Sequence, residues 1–296
     1  MKTVLFVSSL IVLVSANPLV FQKSLVAFSD DVARNKLFPL AAAAYSSTPQ
    51  TCMTKKFTNA QLRRQVNVNC DAGSKSDICS GYSAVLVNDQ AIVLSFRGTQ
   101  SFMQLIEEAN ESVFSSQTAW SAGGKVSKYF ADAFNLIWTS GMKDDFTTLI
   151  HKYPNYEIWV TGHSLGGAMA SLAASFIVSN KLVTASNVKL ITYGQPRTGN
   201  TDFANAHDAQ LPYSFRLTHN RDVVPHIPNE GFEGYHHHKT EVWYKESMSS
   251  GASYTVCADQ QESNKCSNGL LITTSVDDHT HYFGKEVSAW GIAGCN

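Results

Sequence analysis

Apolar positions along the chain switch between two periods. Tyr82-Ser83-Ala84-Val85-Leu86-Val87 and Ala91-Ile92-Val93-Leu94-Ser95-Phe96 are short apolar runs separated by Asn88-Asp89, a spacing that predicts a β-hairpin. Glu157–Thr161, Val188–Tyr193, Ser214–Leu217 and Glu241–Tyr244 read as further strands. Between them the spacing becomes helical. Asp31–Tyr45 carries Val32, Leu37 and Leu40 among alanines and stops before Ser46 and Pro49. Lys125–Leu149 reads mainly as helix, with Phe130, Phe134, Ile137 and Trp138 on one face, and Ala168–Val178 is an alanine-rich helix. Strands alternating with helices predict an α/β fold with a mostly parallel central sheet covered on both faces.

The first sixteen residues do not fit this pattern. Lys2, the apolar run Val4–Val14 and the small residues of Val14-Ser15-Ala16 read as a cleaved secretory signal peptide. The run is shorter than the ~20 residues a spanning helix needs, and no later stretch is longer, so the expectation is a secreted chain without a transmembrane anchor. No linker, charge block or repeat divides the remainder, and residues 17–296 are expected to form a single domain. The 23 basic and 24 acidic residues leave a formal charge of −1 with no basic stripe, which excludes nucleic acid as the expected partner.

All six cysteines follow the signal, and an even count in a secreted chain predicts disulfides. Six cysteines allow fifteen pairings. Proximity favours Cys70–Cys79 and Cys257–Cys266, which leaves Cys52 for Cys295. No C-x-x-C pair points to zinc. His236-His237-His238 is conspicuous, but three consecutive side chains do not converge easily on one ion. The triplet reads as a partly exposed loop leading into the strand at Glu241, and no metal site is expected.

Gly162-His163-Ser164-Leu165-Gly166 fits G-x-S-x-G. It lies where a strand ends and a helix opens, the setting in which such a turn lifts a serine above a sheet edge. A bare serine hydroxyl is a poor nucleophile until a base removes its proton. In this motif the acid and then the histidine follow the serine in the chain. Of Asp202, Asp208, Asp222, Asp259, Asp277 and Asp278, Asp222 is the best placed, just beyond the strand containing Phe215-Arg216-Leu217-Thr218, where open α/β sheets keep their sites. Asp278-His279-Thr280-His281 offers two histidines that the residues alone leave tied.

With these residues in place, the chain resembles the class 3 lipases, secreted α/β-hydrolases acting on triacylglycerols and related esters. The resemblance runs from about Ala41 to Cys295. It rests on Val93–Thr99 (F-R-G-[ST]), Thr161–Ala168 (the nucleophile elbow), Thr192–Asn200 (Y-G-x-P-R-x-G-N) and Asp222–Pro228 (D-x-V-P-x-x-P). It implies Ser164, Asp222 and His279 as catalytic triad, because the first histidine of H-x-x-Y-F-G is the base, and a family disulfide set like the one favoured by proximity. It further implies an oxyanion hole from Leu165 N–H and from Thr99, through its N–H and hydroxyl. No cofactor is required by such a reaction.

The resemblance also makes residues 101–113 a lid, with Phe102, Leu105, Ile106 and Ala109 at helical spacing on one side. Leu105 stands where family lids often carry tryptophan, and Asn110-Glu111-Ser112 is an N-glycosylation sequon inside the segment. The expected protein is a monomeric secreted triacylglycerol lipase taking a lipid ester at a lipid–water interface. The competing readings are a phospholipase A1, an aryl or feruloyl esterase, and a catalytically idle lipid-binding relative.

Overall fold

The computed structural model describes residues 26–70, 78–98 and 113–296. The expected leader, Thr99, the expected lid residues Phe102, Leu105, Ile106 and Ala109, and Asn110 lie outside the described residues. An eight-stranded sheet forms the centre, and its spatial order follows the chain. The strands are β1 (Ala60–Asn69), β2 (Ile78–Leu86), β3 (Ala91–Phe96), β4 (Glu157–His163), β5 (Val188–Tyr193), β6 (Ser214–His219), β7 (Glu241–Tyr244) and β8 (Thr255–Cys257). From β3 to β7 neighbours run parallel, while β1, β2 and β8 pair antiparallel at the two ends. The hairpin of β2 and β3 is the one expected from Asn88-Asp89.

The helices are α1 (Phe38–Ala43, continuing a helical segment Val32–Leu37), α2 (Pro49–Lys56), α3 (Lys128–Ile137), α4 (Lys143–Lys152), α5 (Leu165–Ser179), α6 (Thr201–Gln210), α7 (Val276–Thr280) and α8 (Val287–Ile292). They cover both faces of the sheet, and the period-2 geometry of a strand divides the core accordingly. Ile92, Leu94 and Phe96 of β3 pack with Phe130, Phe134, Phe146, Ala168 and Leu172 on one face. Ala91 and Val93 pack with Leu37, Leu40, Ala42 and Tyr193 on the other. A strand covered on both sides needs no polar alternation, which is why β3 reads as an unbroken apolar run.

The stretch Lys125–Leu149, expected to be mainly helix, is helical from Lys128 onward, with a short strand before it and a break within it. Lys125–Ser127 is a short strand paired with Gln117–Ala119. The Ser127 side chain then accepts from Phe130 N–H, so the serine starts α3 rather than lying within it. Gly141, at φ 135, breaks the helical run before α4, and a Cβ there would meet Arg64 Nη1 at 2.4 Å. Disulfides join Cys52–Cys295, Cys70–Cys79 and Cys257–Cys266. No helix among the described residues is long and apolar enough to cross a membrane.

Candidate active site

Ser164 sits between the end of β4 and the start of α5, with φ 61 and ψ −132. That left-handed region is unfavourable for a residue with a Cβ, and such strain collects at functional turns. Three constraints hold it there. Its N–H donates to the Tyr193 carbonyl (2.9 Å). A Cβ on Gly162 would come within 2.2 Å of the Gly166 carbonyl, and one on Gly166 within 2.2 Å of the Phe96 carbonyl. Only glycine at both positions lets strand, turn and helix pass this closely. Ser164 is 1% exposed, and its Oγ has no hydrogen-bond partner among the described residues.

Leu165 is the first residue of α5, so its N–H has no carbonyl within the helix to receive it. The helix dipole adds positive potential at the same end. Gly98, at the end of the β3 segment, closes the other side: a Cβ there would lie 2.9 Å from Ser164 Cβ and 2.7 Å from the His163 carbonyl. Thr99, the second expected oxyanion residue, follows it in the chain.

Asp222 and His279 come from separate elements that the backbone ties together. Asp222 lies three residues beyond β6, and it bridges to Ser275, with Ser275 N–H donating to the Arg221 carbonyl (3.0 Å) and Val223 N–H to that of Ser275 (3.3 Å). The Ser275 side chain accepts from Asp278 N–H (3.0 Å) and so caps the short helix α7 that presents His279. His279 Nδ1 then lies 2.9 Å from Asp222 Oδ1 and 3.1 Å from Oδ2. Burial of Asp222 favours the neutral acid, yet the His279 charge and hydrogen bond outweigh it. Donation from Tyr282 O–H (2.7 Å) and Val224 N–H (2.9 Å) adds to the effect, and the carboxyl is held below its ordinary range. Burial, with the neighbouring Asp222 charge, pushes the Tyr282 phenol well up, which keeps it a donor.

His279 and His281, tied by sequence, separate here. His279 is 1% exposed and faces the acid. The His281 imidazole is half-exposed and turns to Asp277, 3.1 Å from its Oδ1 and 3.0 Å from its carbonyl.

Two further residues, not singled out by the sequence, position the base. The His163 ring stacks on that of His279, with centroids 4.5 Å apart and planes 26° from parallel. Its Nε2 is 2.8 Å from the His279 carbonyl, so Nε2 carries the proton, and Nδ1 accepts from Tyr45 O–H at 2.8 Å. Burial, reinforced by His279, pushes the His163 imidazole down to about 3. It is a neutral spacer against the working ring. Gly194, at φ 55, is packed so tightly that a Cβ would lie 2.8 Å from Asp222 Oδ2 and from His279 Nδ1 and Cε1. Adjacency to Ser164 was the available signal for His163, and the Y-G-x-P-R motif for Gly194.

The rest of that motif is structural. Arg197, 2% exposed, forms a bidentate pair with Glu262 (2.9 and 2.8 Å). The Asn200 side chain caps α6 by accepting from Phe203 N–H (3.0 Å). The histidine triplet departs from the partly exposed loop expected. His237 and His238 are buried at 3% and 1%, because His237 Nε2 donates to the Pro225 carbonyl (2.7 Å) and His238 Nδ1 to that of Lys239 (2.6 Å).

Comparison with known proteins identifies the family. The pattern of the family described as Lipase (class 3) matches residues 93–232. The chain is 35% identical over 291 residues to lipase ZK262.3 of Caenorhabditis elegans, covering 88% of this chain and 81% of that protein. It is 30% identical over 208 residues to the secreted mono- and diacylglycerol lipase A of Penicillium cyclopium, covering 69% and 66%. It spans 50–61% of the length of the matching Rhizomucor and Rhizopus lipases. The crystal structure of a lipase from Rhizopus microsporus var. chinensis superposes with a TM-score of 0.76 at 31% identity, covering 89% of this chain and 91% of that one. A triacylglycerol lipase structure described as having a serine protease triad as its catalytic centre matches equally well, with a TM-score of 0.76 at 28% identity, over 88% of this chain and 97% of that one. The fold is the α/β-hydrolase fold of these enzymes.

Proposed function

Because the chain belongs to the class 3 lipase family and is a carboxylic ester hydrolase of the triacylglycerol lipase kind, we propose that Ser164, His279 and Asp222 carry its reaction. The observation that carries this reading is the Asp222–His279 pair, buried and hydrogen-bonded at 2.9 Å, in a protein that also holds a buried serine at a left-handed turn on a helix N-terminus. Asp222 fixes the proton on Nδ1 of His279, which leaves Nε2 to take the Ser164 proton as Oγ attacks the ester carbonyl. Leu165 N–H, with Thr99, stabilises the oxyanion, where one lost donor typically costs about 10²–10³ in rate. The imidazolium returns its proton to the departing alcohol. Water, activated by the same imidazole, then releases the fatty acid from Ser164.

The substrate is a glyceride taken from a lipid–water interface by a monomer. The protein is exported, with residues 1–16 removed and 17–296 forming one catalytic unit. Three disulfides and a secreted Penicillium relative support export. A fluorophosphonate probe is expected to label folded wild-type protein at Ser164 alone. Absence of that adduct overturns the assignment. A panel of triacylglycerol, phosphatidylcholine and aryl esters tests the substrate: fastest release from triacylglycerol is expected, and preferential sn-1 release from phosphatidylcholine makes the enzyme a phospholipase A1 instead.

A further inference from the structure

The end of α6 and the segment entering β7 bring His207, Asp208 and His238 together. One candidate ligand atom from each of the three lies within 4.8 Å of the others. His207 and His238 are 0% and 1% exposed. Neither ring nitrogen of His207 has a hydrogen-bond partner among the described residues. That is an unusual cost, since a buried polar group without a partner has lost its hydration with no bond in return. No part of the proposed ester hydrolysis uses these residues.

The donors around it are arranged for a cation. His238 Nδ1 gives its proton to the Lys239 carbonyl, which leaves the Nε2 lone pair, met by the Gln195 amide at 3.1 Å. The Asp208 carboxylate accepts from Lys239 N–H (2.7 Å) and from Gln261 (2.6 Å), one bond to each oxygen, and each oxygen keeps a second lone pair. A cavity of about 540 Å³ is lined by Asp208 and Lys239 among others, so the cluster meets it on its carboxylate side.

We infer that His207, Asp208 and His238 form a binding site for a zinc ion that braces α6 against the segment entering β7. Two imidazoles and one carboxylate, with a cavity water as the fourth ligand, suit zinc rather than the all-oxygen shells of calcium or magnesium. In the structure the His207 and His238 rings are stacked, 3.7 Å apart and 19° from parallel. Lone pairs in the planes of stacked rings cannot converge on one ion, so one ring must turn on binding. His207 is that ring, because it has no hydrogen bond among the described residues to break. None of the three residues takes part in the proposed hydrolysis, so zinc acts on stability and not on the hydrolytic step.

The test uses the purified full chain, stripped with EDTA and freed of it, titrated with zinc sulfate by calorimetry and by thermal unfolding, with metal content measured after dialysis. One zinc per chain is expected, with a rise in Tm of about 5 °C or more at a hundredfold excess over Kd. His207→Gln should abolish this binding, and Asp208→Asn should weaken it at least ~10-fold; both should keep ester hydrolysis. Asp208→Asn keeps side-chain size at a partly exposed position, so it decides the matter where His207→Gln does not fold. No zinc uptake by the wild type, or uptake unchanged in Asp208→Asn, overturns the site.

Discussion

Lowering the pH below the histidine range should unfold this protein, and the structure sets the size of the effect. Burial holds five imidazoles neutral: His163 and His207 are pushed down to about 3 and His226 to about 4, with His237 and His238 well below their ordinary value. Arg216 or Arg197 adds to the shift at all but His163. In the unfolded chain each titrates near 6.5. Because the folded values are depressed, the unfolded state binds more protons below pH 6.5, and stability falls as the pH drops from there towards the folded values. One unit below 6.5 each site costs about 1.4 kcal/mol, and five such sites cost roughly 7 kcal/mol. That is comparable to the whole stability of a typical domain, about 5–15 kcal/mol. Asp222 and Glu262, whose carboxyls are held down by buried partners, push in the same direction at still lower pH. Urea denaturation in the presence of EDTA at pH 7.5, 6.5 and 5.5 measures the effect. The midpoint should fall by the equivalent of about 2 kcal/mol between the first two and collapse at the third, with uptake of several protons on unfolding. A midpoint that stays level down to pH 5.5 would refute the reasoning, since it requires these imidazoles to be charged or solvated in the fold.

The remaining predictions concern the site and its frame. Gly194→Ala places a Cβ 2.8 Å from both Asp222 and His279 and strains a residue at φ 55, so kcat should drop at least ~100-fold with the fold retained; near wild-type turnover on a soluble ester would contradict the packing. Tyr282→Phe removes the 2.7 Å donor to Asp222, a bond of the charged class worth about 1.5–3 kcal/mol. Its kcat should fall roughly tenfold and the acid limb of the pH profile should move upward, because losing a donor raises the carboxyl; an unmoved limb tells against the role. His279→Ala should abolish turnover while His281→Ala keeps most of it, and the reverse result reassigns the base. Replacing Cys52 and Cys295 by serine opens a bridge between residues 243 apart and should cost about 5 kcal/mol in denaturant unfolding, with catalysis at low temperature preserved.

What could be read from the sequence and what could not divide along the range of the interactions involved. Strands β2 to β7 and helix α5 were legible because a period of two or of 3.6 is a local property, and the turn at Ser164 was legible because its glycines answer to atoms within a few residues or on the adjoining strand. Asp222 followed from its place beyond a strand end. The tie between His279 and His281 could not be broken by such reasoning, since both lie on one short stretch. What separates them is Ser275, which pairs with the Asp222 segment and caps α7 so that only the first histidine turns inward. The expectation of mainly helix over Lys125–Leu149 held from Lys128 onward but missed the strand Lys125–Ser127, which pairs with Gln117–Ala119 and with Gly199. His237 and His238 are buried by partners such as Pro225 and Gln195, distant in the chain, so a polar triplet that reads as loop becomes core. The same long-range packing makes His163 a neutral buttress, held by Tyr45 from 118 residues away. A family motif can therefore name the reacting atoms while leaving unread the residues that hold them in place. Those residues, His163, Gly194 and Tyr282, are where substitution should alter rate without touching the reacting groups.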